Sequence, residues 1–171
     1  MIVQLLNYPD DKRWFEVKER ALVTVGKHAV KPPTEEWKKK ILRARHSPIR
    51  HLEFSFYLEN IPSWVSVHLA RHVHAQPYIK SQRNDRQDKY DRNAARQDTP
   101  VCMIYDVNAE ELMTIANKRL CNLASAETRE LVQMMCDCVN VFCPEFKEFL
   151  VPSCQYNNVC HEMYPCGKEQ G

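Results

Sequence analysis

Between Ala70 and Asp85, Arg71-His72 is followed by Ser81 and Arg83. This puts guanidinium, imidazole and hydroxyl groups on one short piece of chain. Arginine forks match phosphate oxygens bidentately, and a serine hydroxyl meets a remaining lone pair. Such a set can grip a phosphorylated small molecule, so the stretch reads as a nucleotide site. Basic residues at a helix end also offset the negative end of the helix dipole. These residues alone therefore leave two readings open, a ligand site and an electrostatic cap.

Three further blocks carry related chemistry. Upstream, His46-Ser47-Pro48-Ile49-Arg50-His51 leads into Phe54-Ser55-Phe56, and downstream come Asn108 to Met113 and Arg119 to Arg129. Together the four blocks resemble the flavin-dependent thymidylate synthases in order and spacing. Arg71-His72 with Ser81 resembles that family's Arg-His-Arg-x7-Ser. The upstream block is similar to its His-x-Ser/Thr-Pro-x-Glu-His, and the downstream blocks to its Asn-x-Arg-x-Leu and Arg-x4-Ala-Gln-x-Glu-Ile-Arg. The resemblance spans about residues 1 to 150.

The resemblance implies an enzyme that reductively methylates dUMP. The methylene comes from methylenetetrahydrofolate, and the hydride from FAD reduced by NADPH. It implies a homotetramer whose active sites are shared between subunits. His68, Ser81, Arg83, Arg96 and Arg119 occupy positions similar to the family's dUMP contacts. There Arg83 and Arg96 suit the 5′-phosphate, Ser81 adds an oxygen contact, and Arg119 can donate to a uracil carbonyl and stabilise charge on the ring. Arg119 and Ser81 are thus the expected catalytic pair. His46, Ser47, Arg50, His51, Arg71, His72 and Asn108 are the expected contacts to FAD and folate. No nucleophilic cysteine is needed, because the flavin carries the hydride chemistry.

The flavin side departs from the family's pattern. Val73 stands for the second arginine of Arg-His-Arg, Arg50 for a glutamate, Glu110 for the arginine of Asn-x-Arg, and Ile79 where an acidic residue is usual. Arg50 and Glu110 are opposite charge reversals. Uncompensated in a closed pocket, each would cost on the order of several kcal/mol, so the two are expected to face each other. Two other readings remain: a related pyrimidine alkyl or hydroxymethyl transferase, and a catalytically silent nucleotide-binding protein on the same fold.

The elements that must position these residues follow from periodicity. Ile2 to Leu6 reads as a strand. Asp10 caps a helix to about Leu22 that carries Trp14, Val17 and Ala21 on one face. Thr34 starts a helix with Trp37, Ile41 and Leu42 on one side, and Lys38-Lys39-Lys40 is read as its solvated face. Leu52, Phe54, Phe56 and Leu58 alternate as a half-buried strand. A helix opens at Pro62-Ser63, with Trp64, Val65, Leu69 and Val73 apolar, and ends near Pro77. Residues 84 to 99 are polar and turn-rich, an exposed linker by composition and an active-site loop by what the resemblance implies, and Val101 to Val107 reads as a strand. Asn108 caps a helix to about Arg119, with Glu111 reaching back as in a capping box. Ser125 caps a last long helix with Leu131, Met135, Cys138 and Phe142 in register, ended by Pro144. Met134, Met135 and Cys138 are read as core. The fold class is α+β, helices packed on one antiparallel sheet.

At 171 residues with a net charge of +2, the expectation is one domain over 1–171 without a nucleic-acid or membrane partner. The N-terminal residues lack the basic and apolar regions of a signal peptide, so a cytoplasmic, reducing setting is expected. The eight cysteines then read as mostly reduced thiols. In the tail, residues 150–171, Cys154, Cys160, His161 and Cys166 number enough for zinc. They lack a tight C-x2-C knuckle, and a metal-free tail is expected.

Overall fold

The computed structural model describes residues 1–85 and 90–167. The first expected elements form as β1 (Ile2–Asn7), α1 (Asp11–Val23) and α2 (Glu35–Arg43). Asp10 caps α1, its carboxylate accepting from the Arg13 N–H at 2.8 Å. Thr34 caps α2 through the Trp37 N–H. Each bond satisfies a donor that has no partner inside its own helix. Lys38, expected on a solvated face, is instead buried, paired with Glu35 at 2.8 Å, its ammonium 5.3 Å from the centre of the Trp14 ring. The reason is helical spacing, because Lys38 shares a side with Ile41 and Leu42 three and four residues on.

A 3-10 turn, Ser47–His51, leads into β2 (Glu53–Pro62). Its alternation sends Phe54, Phe56 and Leu58 to one face, opposite Val107, Tyr105 and Met103 of β4 (Pro100–Asn108). β1 pairs along the other edge, setting Val3 and Leu5 opposite Leu58 and Phe56. With β3 (Ala75–Ile79) the sheet is wholly antiparallel in the order β1-β2-β4-β3. The α+β expectation holds.

β3 corrects the reading of one long helix to Pro77. Helix α3 (Ser63–Ala70) stops at Arg71, and Val73, read as one of its apolar positions, lies beyond it and is 83% exposed. The chain then turns back to pair with β4. Pro77 is tolerated because β3 is an edge strand, where a missing N–H can face away from the ladder.

α4 (Ala109–Arg119) and α5 (Ala126–Phe142) complete the helical layer, with α5 packed on β1 and α4. Leu131 and Met135 are buried as expected, while Met134 and Cys138 are only half-buried. Cys136 and Val139 complete the buried stripe in place of Cys138 and Phe142. Phe142 is exposed and stacks on Tyr8, centroids 4.9 Å apart. Burial pushes the Cys136 and Cys143 thiols up to about 12, so these two behave as small core apolar groups. On the sheet's opposite face, Ile104 and Tyr78 are exposed. Among the described residues no helix is long and apolar enough to cross a membrane.

Candidate active site

The site is assembled where the C-terminal end of α3 meets α4. The Tyr105 hydroxyl, buried under the sheet, donates to the Leu69 carbonyl at 3.1 Å. The same carbonyl also accepts from the His72 N–H at 3.1 Å, so the Tyr105 hydroxyl pins the turn that carries His72. Asn108 ends β4 and caps α4, its side chain accepting from the Glu111 N–H at 3.0 Å. A capping box would also send the Glu111 carboxylate back to Asn108. Instead it accepts from His72 Nδ1 at 2.9 Å.

Arg119, in the last turn of α4, closes the group from the other side. Its Nε donates to His72 Nε2 at 3.2 Å, and its Nη2 donates to the His68 carbonyl at 3.2 Å. Burial and the nearby Arg71 charge both push the Arg119 guanidinium down from its ordinary value. Burial is also the main cause holding His72 below the usual histidine range; the Arg119 and Arg71 charges act in the same direction and Glu111 opposes them. Among the described residues neither Arg71 nor Arg119 forms an ion pair with a carboxylate. Two neighbouring cations, neither in an ion pair with a carboxylate among the described residues, make an anion-ready site where α3 ends.

His68 sits on the same helix end. Its ring lies edge-on to Trp64, centroids 5.2 Å apart, and Nδ1 is 3.1 Å from the Thr128 hydroxyl. Ser125 occupies the N-cap of α5 as expected. Its hydroxyl makes no bond to the backbone of the first turn and instead donates to Thr128 Oγ1 at 2.8 Å. Glu111, Thr128 and Tyr105 were not read as site residues from the sequence. Glu111 carried a signal, a carboxylate three residues past a cap, that local pattern assigned to the helix start.

Of the residues expected to meet phosphate, Arg83 forks onto Asp85 at 2.9 and 2.5 Å, and Arg96 onto Asp98 at 3.0 and 3.1 Å. Both pairs are exposed. In each case a carboxylate occupies the bidentate face that a phosphate would use. No hydrogen bond or ion pair among the described residues joins them to Arg119. Ser81 is half-buried beside Gln82, whose amide donates to Ser63 Oγ at 3.3 Å. The loop carrying Arg96 is tied to the start of α3, where the Ser63 and Trp64 N–H groups donate to the Thr99 and Gln97 carbonyls at 3.0 and 3.1 Å. Arg86 and Asp88, also in the expected active-site loop, lie outside the described residues.

Of the expected cofactor contacts, Arg71, His72 and Asn108 lie at the site just described, and the others lie at the 3-10 turn. Arg50 and Glu110 form an ion pair. His51 Nε2 lies 2.8 Å from Glu16 and 2.7 Å from Arg13 Nη1. The His51 contact is the main cause holding the Glu16 carboxyl below its usual range. His46 and Ser47 are exposed at the start of the 3-10 turn.

The cysteine-containing tail forms a different place. Cys154, Cys160, His161 and Cys166, with Cys121 from the turn after α4, line a cavity of about 600 Å³. Its walls are the turn at residues 120–123 and the tail from Pro152, which includes the short helix α6 (Ser153–Asn157). All eight cysteines are free thiols, and among the described residues no three His, Cys, Asp or Glu side chains are grouped to hold a metal ion.

No family model and no curated protein sequence matches this chain. Solved structures are similar to it. One is thymidylate synthase X (ThyX) from Helicobacter pylori with FAD and dUMP, at 16% identity and a TM-score of 0.69, covering 91% of this chain and 99% of that one. Another structure of the H. pylori flavin-dependent enzyme with FAD and dUMP gives 14% identity and a TM-score of 0.69, over 88% and 98% of the two chains. A third is PolB, a UMP/dUMP methylase from Streptomyces cacaoi bound with 5-Br dUMP. It gives 13% identity and a TM-score of 0.69 over 86% of this chain and 93% of that one. At these identities the likeness is one of fold, and the fold is that of the flavin-dependent thymidylate synthases.

Proposed function

We propose that the chain is an enzyme that converts dUMP to dTMP by reductive methylation, using methylenetetrahydrofolate, FAD and NADPH. The observation that carries this reading is the Arg71–Arg119 site: an exposed and a half-buried cation close together, neither in an ion pair with a carboxylate among the described residues. Two of the structures with this fold were solved with FAD and dUMP, and a third with 5-Br dUMP.

In this reading Arg119 donates to a uracil carbonyl and stabilises negative charge as it develops on the ring. Arg83 and Arg96 exchange Asp85 and Asp98 for the 5′-phosphate. The exchange costs little because exposed ion pairs contribute at most about 1 kcal/mol. Ser81 adds a phosphate oxygen contact, and His68, fixed through Thr128, borders the ring.

The residues present fit a flavin. Arg71 offers a guanidinium without an ion-pair partner among the described residues, suited to a phosphate-bearing cofactor, and His46 and Ser47 are exposed donors at the start of the 3-10 turn. Arg50 would border it with its charge already balanced by Glu110. Reduced flavin, when bound, supplies the hydride. The protein's part is to hold substrate and cofactor in register and exclude water. The same reading includes a homotetramer with shared sites, in which the exposed Ile104 and Tyr78 of the open sheet face would be free to meet another copy.

The purified protein, incubated with dUMP, methylenetetrahydrofolate, NADPH and FAD, is expected to form dTMP and to show the absorbance of bound oxidised flavin. Protein that neither retains flavin nor binds dUMP would overturn the reading.

A further inference from the structure

We propose that Glu111 is a positioning residue which, acting through His72, fixes the direction in which Arg119 presents its free donors to the ligand. This deepens the reading above and rests on Arg119 meeting the nucleotide.

The argument starts from which atoms can donate. A carboxylate only accepts, so the contact between Glu111 Oε1 and His72 Nδ1 at 2.9 Å requires a proton on Nδ1. A guanidinium only donates, so the contact from Arg119 Nε at 3.2 Å requires a bare lone pair on Nε2. Both contacts hold together only for a neutral ring in the Nδ1–H tautomer. Glu111 and His72 side chains are 10% and 11% exposed, so water offers little competition.

Arg119 is thereby held at two points, Nε on His72 and Nη2 on the His68 carbonyl. Both lie along one edge of a planar group. The other edge, Nη1 with the second Nη2 hydrogen, keeps its donors in a fixed fork. The direction of that fork is set by His72, whose tautomer is set in turn by Glu111. Without the carboxylate, a ring protonated on Nε2 would oppose the Arg119 Nε–H donor to donor and release the guanidinium. The structure thus adds to Arg119 a chain of control that begins 39 residues from His72 in sequence.

The test uses the full chain with Glu111→Gln and Glu111→Leu. Ring-nitrogen NMR of the ligand-free protein reads the His72 tautomer, exchange of the Arg119 Nε–H reads its restraint, and titration with dUMP reads affinity. Wild type is expected to carry the His72 proton on Nδ1 and a protected Arg119 Nε–H. Glu111→Gln, whose amide oxygen still accepts, should keep both and bind dUMP within about threefold of wild type. Glu111→Leu should shift the proton, expose the Arg119 Nε–H and weaken dUMP about tenfold, as expected for one hydrogen bond in a charged network. A His72 proton on Nε2 in wild type overturns the proposal. So does a folded Glu111→Leu variant with Arg119 still protected. If Glu111→Leu does not fold, the wild-type tautomer and the Gln variant decide. If wild type does not bind dUMP, the nucleotide reading fails, while the tautomer and exchange measurements still decide whether Glu111 orients Arg119.

Discussion

Arg50 and Glu110 pair across 60 residues of sequence, joining the 3-10 turn before β2 to the first turn of α4. Each departs in sign from the pattern of the family the chain resembles, and each balances the other. Arg50 is held above its ordinary value, first by its hydrogen bond to Glu110. Arg50→Glu or Glu110→Arg alone would set like charges together and is expected to lower flavin retention. The double exchange should recover much of the loss, because residues in contact deviate from additivity. Simple addition of the two effects on flavin affinity would show that the pair has no part in the cofactor site.

Arg119→Ala is expected to reduce turnover by about 100-fold or more, the usual cost of losing a donor aimed at developing charge. Flavin content should stay nearly unchanged, because no expected cofactor contact touches this guanidinium apart from His72. Loss of flavin with full dUMP affinity would move Arg119 to the cofactor side.

The fork between Arg83 and Asp85 makes opposite predictions for its two members. Arg83→Ala should weaken dUMP by about tenfold or more, in the range for hydrogen bonds to charged groups, and barely affect deoxyuridine. Asp85→Asn removes the competing carboxylate and should tighten dUMP by about two- to threefold, since an exposed pair contributes little. Equal effects on nucleotide and nucleoside would exclude a phosphate role.

Local chemistry made much of this molecule legible before its coordinates. The caps at Asp10, Thr34 and Asn108 are bonds between residues three apart, and the alternation of Phe54, Phe56 and Leu58 follows from the pleat alone. What was not legible depends on distant partners. β3 is short, contains Pro77 and exists only by pairing with β4. The Glu111 carboxylate has a good local use at the helix start, yet it takes a histidine that tertiary packing supplies. Helical spacing placed α5 but erred over its buried stripe, because Leu131, Met135, Cys138 and Phe142 and the actual set differ by a small rotation.

The acid dependence of stability can be traced to His72. Its folded value lies below the ordinary 6.5, burial being the main cause. The unfolded chain therefore binds the proton more readily. The stabilising difference is fully present above pH 6.5 and is lost as pH falls toward the folded value. His72→Gln keeps an amide donor for Glu111 and a carbonyl acceptor for Arg119 without a titrating ring. Chemical denaturation of the two proteins from pH 7.5 to 5 should show wild type losing more stability than the variant, and parallel curves would remove His72 from the acid transition.

The thiols of the tail give the last prediction. Cys121, Cys154, Cys160 and Cys166 share a cavity wall with His161, but among the described residues they are not grouped as ligands. Structural zinc holds four ligands at about 2.0–2.3 Å in a tetrahedron, and its binding energy is folding energy. Assembling such a site here would require the tail to move against the turn at 120–123. Protein purified without chelator should therefore contain well under one zinc per chain, and Cys160→Ser should melt with the same midpoint as wild type. Stoichiometric zinc, lost together with tail protection in Cys160→Ser, would make this cavity a structural metal site and the tail a metal-folded segment.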